Sequence, residues 1–340
     1  MKEALLYRQR GGKSVRCELC SHNCLIRDSR RGLCGVRENR GGRLFSLVYG
    51  RVAAAHVDPI EKKPFFHFLP GSRSYSIATV GCNFFCRHCQ NYTLSQYPSM
   101  HGGDIAGDTI TPEQIIAAAV RAGCDSISYT YIEPTVFYEF ARECMEIAHD
   151  HGLANLFVSN GYMSAACTRD MASLLDGINI DIKAFRETFY KKICGACLQP
   201  VLDTVTLMKT LGVWVEVTTL LIPGLNDSGE ELRDLASFIY AVDPAMPWHV
   251  TAFHPAYKMM DREATPIASL RLAAALGREQ GLQYVYEGNS PGHGGENTVC
   301  PSCGATVIER YGFTNRKNNL CKGACPQCHG AIAGVWQFAG

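Results

Sequence analysis

Three cysteines in the stretch GCNFFCRHCQN, residues 81–91, have a spacing suited to a metal centre. Cys82, Cys86 and Cys89 follow the pattern C-x3-C-x2-C within one loop of eight residues. Structural zinc takes four protein ligands, and the three ligands of catalytic zinc seldom come from one short loop. A [4Fe-4S] cluster has four irons, so three thiolates leave one iron open to another molecule. We therefore expect an iron-sulfur cluster here, and zinc completed by His88 or a distant residue is the alternative.

The tail of the chain carries two C-x2-C pairs, CPSC and CPQC, separated by 21 residues. Four thiolates at this spacing predict a closed tetrahedral zinc ribbon, and a rubredoxin-like iron site with the same ligands is its rival. Such a ribbon serves either as a docking module or as a metal staple for a core too small to fold alone. The predicted ligands are Cys300, Cys303, Cys325 and Cys328, with Cys321 left over as incidental.

A third group of cysteines lies in the first 45 residues, in a segment rich in arginine and glycine. It has the ligand count of a complete site, which fits structural zinc or an auxiliary iron-sulfur cluster. His22 is an alternative ligand. The four cysteines are Cys17, Cys20, Cys24 and Cys34.

A further pair, Cys194 and Cys197 in KKICGAC, follows the stretch DIKAFRETFY. The pair fits a redox couple or a hydrogen-atom donor at the mouth of a site, and an ordinary C-x2-C near a helix is the alternative. A set of polar residues ahead of the first long strand either lines the same mouth or packs within a loop. These residues are His56, Asp58, Glu61 and His67.

The composition bounds the class of protein. The chain has 340 residues, 46% of them hydrophobic, which is enough for a large core. Its 33 Lys and Arg nearly balance 32 Asp and Glu, so no strong field favours nucleic acid or an anionic membrane. Neither a signal peptide nor a long apolar run is present, so we expect a cytoplasmic protein without a membrane span. In that compartment 17 cysteines favour metal ligation over disulfides.

Strands and helices alternate in the middle of the chain, which predicts an α/β domain with a parallel sheet and helical crossovers. Two helices carry clear start signals, TPEQIIAAAVRAG after Thr111 and SGEELRDLASFIYAV. We expect a Cys-rich region over 1–45, the α/β core over 46–294 and the ribbon over 295–340. The predicted strands span residues 75–81, 126–131, 154–160, 177–183, 213–222, 248–253 and 283–289.

Polar residues fall at the carboxyl ends of these strands, where α/β folds build their sites. Because successive strands contribute to one rim, a partial (β/α)6-type barrel is favoured over a single crevice. Polar residues at strand ends are also common as caps and loop anchors, which is the alternative for each of them. Besides the cysteine loop, the candidates are Glu133, Ser159, Asn160, Asp181, Lys183 and His254.

The cysteine loop after the first strand of an α/β fold resembles the radical S-adenosylmethionine (SAM) superfamily, over about residues 50–289. The stretches VSNGY and DIKAF resemble the TNG and DLK stretches of pyruvate formate-lyase activating enzymes, although Val158 stands where those enzymes often carry an acidic residue. The resemblance implies that His88 packs near the adenine and that Glu133 contacts the methionyl amino group. It places the remaining candidates at the methionine carboxylate, the ribose or the nucleoside: Ser159, Asn160, Asp181, Lys183 and His254.

Over essentially the whole chain, the stretches CELCSHNC, HVDPIEKKPFFHFLPGS, LIPGLND and PWHVTAFHP resemble the radical proteins of the AmmeMemoRadiSam system. That family is named for accompanying Memo-type and Amme-type proteins, which the resemblance therefore implies as partners. A reductase such as flavodoxin or ferredoxin is implied as the electron donor.

The resemblance implies that SAM chelates the open iron and is cleaved reductively to methionine and a 5'-deoxyadenosyl radical. The radical would take hydrogen from a small or lipid-like substrate. An activase that makes a glycyl radical on a partner enzyme is one alternative. A zinc-dependent protein that binds or modifies nucleic acid is another, against which the near-neutral charge argues.

Overall fold

A sheet of eight strands forms the centre of the computed structural model, which describes residues 1–338. Seven of the strands are parallel neighbours in chain order, and the first strand pairs antiparallel at one edge. The sheet does not close into a barrel within the described residues. Seven short strands precede the sheet in the chain: β1 (Lys2–Glu3), β2 (Tyr7–Arg10), β3 (Ser14–Cys17), β4 (Leu25–Ile26), β5 (Arg37–Arg40), β6 (Arg43–Ser46) and β7 (Arg51–Val52).

All seven predicted core strands are present; six are shorter than predicted by one or more residues, and the first is displaced, running over Arg73–Ala78 instead of 75–81. The antiparallel edge strand, β8, was not predicted. The sheet consists of β8 (Ala54–Pro59), β9 (Arg73–Ala78), β11 (Ser126–Tyr129), β12 (Ala154–Ser159), β13 (Gly177–Asp181), β14 (Trp214–Leu221), β15 (Trp248–Ala252) and β16 (Val285–Gly288), with the short β10 (Asp108–Thr109) outside it pairing with β7.

Helices cross between the parallel strands, as the sequence predicted. Thr111 caps its helix through a reciprocal capping box with Gln114, and Ser228 caps the helix of the second predicted stretch. None of the helices within residues 1–338 is long and apolar enough to cross a bilayer. The helices are α1 (Tyr92–Ser95), α2 (Tyr97–Met100), α3 (Pro112–Arg121), α4 (Tyr138–Asp150), α5 (Ala165–Ala172), α6 (Glu187–Phe189), α7 (Gln199–Thr210), α8 (Gly229–Val242) and α9 (Ile267–Glu279), with a π-helical turn over Tyr190–Cys194 and 3-10 turns over Ile60–Lys62 and Pro134–Phe137.

Two small regions of antiparallel strands flank the core. The first holds two three-stranded sheets, β1-β6-β5 and β2-β3-β4. The second holds one, formed by β17 (Thr298–Val299), β18 (Thr306–Tyr311) and β19 (Thr314–Asn318). The predicted ribbon region runs to residue 340, and its residues 339 and 340 lie outside the described ones.

The segment 60–69 joins the two edges of the open sheet. It follows β8, yet the backbone N–H groups of Phe66 and His67 donate to the Glu216 carboxylate on β14, at 3.0 and 2.9 Å. Its far end bonds to the tail of the chain, where Val335 donates to the His67 carbonyl at 2.7 Å. The segment therefore ties the tail region to the core.

Candidate functional site

A cavity of about 510 Å³ opens at the carboxyl ends of the parallel strands. The register explains why several strands contribute to it: Asp181 pairs with Thr218, and Thr218 pairs with His249. Residues in register on parallel strands face the same side of the sheet, and all three line the cavity. The strand-end candidates that line it are Glu133, Ser159, Asn160, Asp181 and Lys183.

The cysteine loop forms one end of this cavity. Cys82, Cys86 and Cys89 all line it, with the first two buried and the third half-buried. The Asn160 side-chain amide donates to the Cys82 sulfur at 3.6 Å, and the Cys89 sulfur lies 3.3 Å from the Ser95 hydroxyl. Burial raises the pKa of the Cys89 thiol, so a bound cation is needed to make it a thiolate at neutral pH.

Glu133 is a buried carboxylate that joins the ends of β11 and β12. It accepts hydrogen bonds from the Ser159 hydroxyl at 2.9 Å, the Asn160 backbone N–H at 2.7 Å and the Thr135 backbone N–H at 3.0 Å. Burial raises the pKa of Glu133, and these donors oppose the rise. The cavity wall is thereby fixed around one carboxylate, while the predicted contact of Glu133 with an amino group stays a prediction.

Lys183 supplies a cation near the cysteine loop. Its ammonium donates to the Asp181 carboxylate at 2.8 Å, and its backbone N–H donates to the Tyr190 hydroxyl at 3.1 Å. Burial works to lower the pKa of Lys183, but the nearby Asp181 carboxylate outweighs it and the pKa is raised well above its usual value. The side chain is therefore charged, and it is placed to attract an anionic group in the cavity.

His88 is a neutral imidazole in the cavity wall. Burial, with a smaller effect of Lys183, lowers its pKa to about 3. Its Nδ1 atom is buried and has no hydrogen-bond partner among residues 1–338. A buried polar atom without a partner costs about 1–3 kcal/mol, so this nitrogen is available to a ligand.

His254 lies outside this cavity. It is exposed and lines a neighbouring recess of about 300 Å³, which shares Gln90, Asn289 and Phe313 with the main cavity. The predicted contact with a nucleoside would therefore require the ligand to extend into the recess.

Cys194 and Cys197 lie behind the cysteine loop and are not among the residues that line the cavity. Cys194 is fully buried, and its carbonyl accepts from the Phe85 backbone N–H at 2.8 Å. The Cys197 thiol contacts Tyr162. This placement differs from the predicted hydrogen-atom donor at the mouth, because the π-helical turn before Gly195 directs Cys194 toward the loop rather than the opening.

Of the polar residues ahead of the first long strand, Glu61 lines the cavity and His67 is buried beneath it. Asp58 pairs with Lys63 at 2.6 Å, and Lys63 lines the cavity although it is almost fully buried. Burial lowers the pKa of Lys63 to about 8 against the attraction of Asp58. Lys63 was not predicted, since nothing in KKPFF distinguishes it from a solvated lysine. His56 is exposed on β8.

The sequence analysis also missed His249, which lines the deep end of the cavity. Its Nε2 atom bonds to the buried Glu216 carboxylate at 2.7 Å. Burial would raise the pKa of Glu216, but His249 and the other donors outweigh it and lower that pKa, so the carboxylate is ionised. The one available signal was the alternation of WHVTA, which places His249 and Thr251 on the same face of β15.

The first cysteine group surrounds a small enclosed cavity. Its lining includes all four cysteines, His22, the buried Arg37 and Asn83 of the loop that carries Cys82, Cys86 and Cys89, besides apolar residues such as Leu19 and Ile26. Burial, with the nearby thiols of Cys17, Cys34 and Cys24, raises the pKa of the Cys20 thiol. The alternative ligand His22 instead bonds through Nε2 to the Asn83 carbonyl at 2.7 Å.

The tail cysteines form a compact tetrad. The sulfurs of Cys300, Cys303, Cys325 and Cys328 all lie within 4.8 Å of one another. Two pairs approach more closely, Cys300 with Cys328 at 3.6 Å and Cys303 with Cys325 at 3.7 Å. Cys321 is not part of this group and lies exposed in a short bridge to Ala324. The predicted four-cysteine metal site is therefore confirmed, and the identity of its metal stays a prediction.

Comparison with known proteins adds independent findings. The family model of the radical SAM superfamily matches residues 76–239. Uncharacterized protein MJ0808 of Methanocaldococcus jannaschii is 46% identical over 321 residues, which cover 94% of this chain and 95% of that protein. The putative glycyl-radical enzyme activating enzyme MJ1632 of the same organism is 27% identical over 190 residues, covering 54% of this chain and 68% of that protein.

Among solved structures, a radical SAM methyltransferase from Sphaerobacter thermophilus matches with a TM-score of 0.48 and 15% sequence identity. The match covers 66% of this chain and 68% of that one.

Proposed function

We propose that the chain, whose residues 76–239 form a domain of the radical SAM superfamily, is an enzyme whose Cys82, Cys86 and Cys89 bind a [4Fe-4S] cluster with one open iron. The observation that carries the proposal is that all three thiols line one end of a single cavity of about 510 Å³. Ligand pockets of enzymes fall in this size range, which supports the proposal that a cluster and a nucleoside-sized molecule bind there.

The residues present fit these groups. Three thiols meet the cavity without a fourth, and the unpartnered His88 Nδ1 and the Lys183 ammonium offer donors beside them. When bound, the cluster and SAM supply reductive cleavage of the sulfonium to methionine and a 5'-deoxyadenosyl radical.

In this proposal the chain's own residues bind SAM and orient it. Lys183 attracts the methionine carboxylate. Asn160 follows the neighbouring strand, β12, and the Asn160 side-chain amide also contacts the Cys82 sulfur. His88 stays neutral at physiological pH because it is buried, so it packs against the adenine without adding charge. Glu133 and Ser159 hold the wall and offer oxygens to the methionyl amino group.

The deep end of the cavity is the place for a substrate. Its polar side chains include His249, Thr218, Thr251 and Lys63, and the apolar Phe66 and Leu220 line the same cavity. The substrate we propose is a small molecule with a polar group that His249 and Lys63 bind. The ionised Glu216 bonded to His249 Nε2 would stabilise a proton on that ring during the reaction.

A second candidate is an activase that abstracts hydrogen from a glycine of a partner enzyme. It is favoured by the name of the M. jannaschii relative MJ1632, a putative glycyl-radical enzyme activating enzyme. A flexible glycine loop of a partner would have to enter past Gln90 and Asn91 at the mouth. The two candidates separate experimentally, because an activase leaves a protein-borne glycyl radical with a characteristic electron paramagnetic resonance (EPR) spectrum.

The reaction needs an electron donor, and we propose a flavodoxin or ferredoxin for this role. Memo-type and Amme-type proteins are proposed as partners because the sequence resembles the radical protein of that three-protein system. Zinc is proposed for the tail tetrad, since two of its sulfur pairs lie 3.6 and 3.7 Å apart. Tetrahedral zinc with Zn–S bonds of about 2.3 Å places its sulfurs about 3.8 Å apart.

The test is anaerobic reconstitution with iron and sulfide, followed by dithionite reduction with SAM and quantification of 5'-deoxyadenosine. The wild type should release 5'-deoxyadenosine, and a Cys82→Ala, Cys86→Ala, Cys89→Ala variant should release less than about one hundredth as much. Cys321→Ala is the control, because it removes an exposed sulfur outside every proposed site. The proposal fails if the triple variant cleaves SAM as fast as this control.

A further inference from the structure

We propose that Cys17, Cys20, Cys24 and Cys34 hold a second [4Fe-4S] cluster, closed by four thiolates and packed against the catalytic loop. The sequence leaves zinc and an iron-sulfur cluster open for these cysteines. The spacing of the thiols distinguishes a zinc ion from an iron-sulfur cluster. The residues around the site also favour the cluster.

The first observation is the size of the thiol cage. Tetrahedral zinc with Zn–S bonds of about 2.3 Å draws its four sulfurs to about 3.8 Å from one another. The tail tetrad meets this geometry, with all its sulfurs within 4.8 Å. Across residues 1–338, no other group of three or more Cys, His, Asp or Glu meets the same limit. The sulfurs of the first cysteine group are therefore less tightly grouped than those of the tail tetrad, which disfavours a single zinc ion.

The wider cage suits four irons. Each thiolate of a cubane binds a different iron, so the sulfurs stand farther apart than around a single ion. The sulfurs of Cys82, Cys86 and Cys89, the proposed ligands of the catalytic cluster, likewise do not all lie within 4.8 Å of one another. All four cysteines of the first group nevertheless line one enclosed cavity, so they can bind one common metal group. The geometry of this group thus matches the catalytic loop rather than the tail.

The second observation is Arg37, which lines the same cavity and is only 1% exposed. Its Nη2 atom donates to the Glu139 carboxylate at 2.9 Å and to the Leu5 carbonyl at 2.5 Å. Its Nε and Nη1 atoms are buried and find no partner in the described part of the chain. Two unsatisfied buried donors each cost about 1–3 kcal/mol, and anionic sulfurs of a cluster would satisfy them.

Such donors matter more for a redox cluster than for zinc. Hydrogen bonds to the sulfurs and exclusion of solvent set the reduction potential of an iron-sulfur cluster. The apolar walls around the site, including Leu19, Ile26 and Val136, exclude water. With four protein thiolates no iron is open to substrate, so this cluster is limited to electron transfer and to structural support.

The third observation is contact with the catalytic loop. The His22 ring bonds to the carbonyl of Asn83, the residue after Cys82. On the other side of Cys82, a Cβ added at Gly81 would lie 2.9 Å from the Cys34 carbonyl oxygen. Because a ligand of one site touches the neighbours of a ligand of the other, the two clusters would be adjacent.

The experiment counts metals and sulfide in anaerobically reconstituted chains that keep all regions. Wild type should hold about eight irons, about eight sulfides and about one zinc. The Cys82→Ala, Cys86→Ala, Cys89→Ala variant should keep about four irons, and a Cys20→Ala, Cys24→Ala variant should keep about four as well. Cys321→Ala is the matched control and should equal the wild type.

EPR of the reduced proteins assigns each cluster. Adding SAM should change the signal of the Cys20→Ala, Cys24→Ala variant, whose open cluster remains. It should leave the signal of the triple variant unchanged, since that variant retains only the closed cluster.

Wild type with about four irons and about two zincs overturns the inference, and so does a triple variant that holds zinc but no sulfide. These outcomes leave the catalytic assignment intact. Failure of the catalytic assignment looks different, because SAM cleavage would then survive in the triple variant. The wild-type count decides the question even where a variant does not fold.

Discussion

The two small cysteine-rich regions differ in ways that their cysteine counts conceal. Each contributes four proposed cysteine ligands, and each is attached to the core by a buried ion pair between its own arginine and a core glutamate. Arg37 bonds to Glu139 of α4 at 2.9 Å, and Arg310 lies 3.5 Å from Glu61. All four side chains are at most 1% exposed. Attachment to the core is therefore similar at the two ends.

The metal sites are not similar. The tail sulfurs are close together, and Cys303 and Cys328 are exposed. The sulfurs of the first region are wider apart, enclosed, and in contact with the catalytic loop through His22 and Asn83. The comparison indicates that the number of cysteine ligands alone does not determine which metal group a site binds. The spacing of the sulfurs and the hydrogen-bond donors around them distinguish the two proposed sites.

The tail region has a second role that the first region lacks. Phe313, in the turn between β18 and β19, lines the mouth of the main cavity, and Trp336 packs near the ring of His67. The region is thus packed on the core rather than free to dock elsewhere. Of the two roles that the sequence left open for the ribbon, this packing favours the staple.

Breaking the ion pairs should have the largest effect. Arg37→Met and Arg310→Met should each lower the free energy of unfolding by about 3–5 kcal/mol, because each leaves a buried carboxylate unpaired. Urea unfolding of the metal-loaded proteins measures this loss. In addition, Arg37→Met should lower the iron content, whereas Arg310→Met should not.

The double variant Arg37→Met, Glu139→Gln is the control for charge. It removes both charges and should recover most of the stability lost in Arg37→Met. An Arg37→Met protein that unfolds within about 1 kcal/mol of the wild type would contradict the role given to this pair.

Two glycines with positive φ, one beside the first region and one in the tail region, differ in how tightly they are packed. Gly81 has φ +97°, and a Cβ there would lie 2.5 Å from Val36 Cγ1. Gly304 in the tail has φ +76° and open space around it. Gly81→Ala should therefore cost about 2–4 kcal/mol from strain and overpacking together. Gly304→Ala should cost only about 1–2 kcal/mol from backbone strain.

The same urea measurement tests this pair. Equal losses at the two positions would mean that the first region does not press on the catalytic loop. Iron content of Gly81→Ala gives a second readout, since displacement of the loop should lower cluster occupancy.

Acid should loosen the tail region through His67. Burial lowers the pKa of His67 to about 4; Glu216 and the Ala333 carbonyl oppose this shift, whereas Arg310 and His249 add to it. The unfolded chain binds a proton near pH 6.5 and the folded one does not, so stability is full above pH 6.5 and falls as pH drops toward 4. The loss should reach about 2–3 kcal/mol.

Unfolding midpoints between pH 4 and 7 measure how steeply the stability falls with pH. His67→Gln should make this pH dependence weaker. A slope that persists unchanged in His67→Gln would assign the acid sensitivity to another group.

Much of the core followed from the sequence. Seven strand segments, the Thr111 cap and the cysteine loop were all predictable because each is local in sequence. The cavity partners were not. His249 and Glu216 lie 33 positions apart and meet only because β14 and β15 pair in one particular register. Periodicity predicts which face a residue is on, but it does not fix that register.

The interfaces of the small regions were equally beyond sequence reasoning. Arg37 and Glu139 are 102 positions apart, and Arg310 and Phe66 are 244 apart. In the sequence each arginine looks like an ordinary surface charge. Cysteine spacing likewise gave the ligand count at both ends, but the distance between sulfurs depends on how the short strands fold around them.

The smallest effect is expected at Cys321, and it tests the boundary of the tail site. Cys321 is exposed and stands outside the group whose sulfurs lie within 4.8 Å. Cys321→Ala should change the free energy of unfolding by less than about 0.5 kcal/mol, as surface substitutions usually do. Its zinc content should match that of the wild type. Cys325→Ala, four positions away and buried, should lose the zinc and with it the packing of the tail on the core. If Cys321→Ala lost zinc too, the tetrad would exchange ligands, and its tight spacing would no longer argue for one fixed ion.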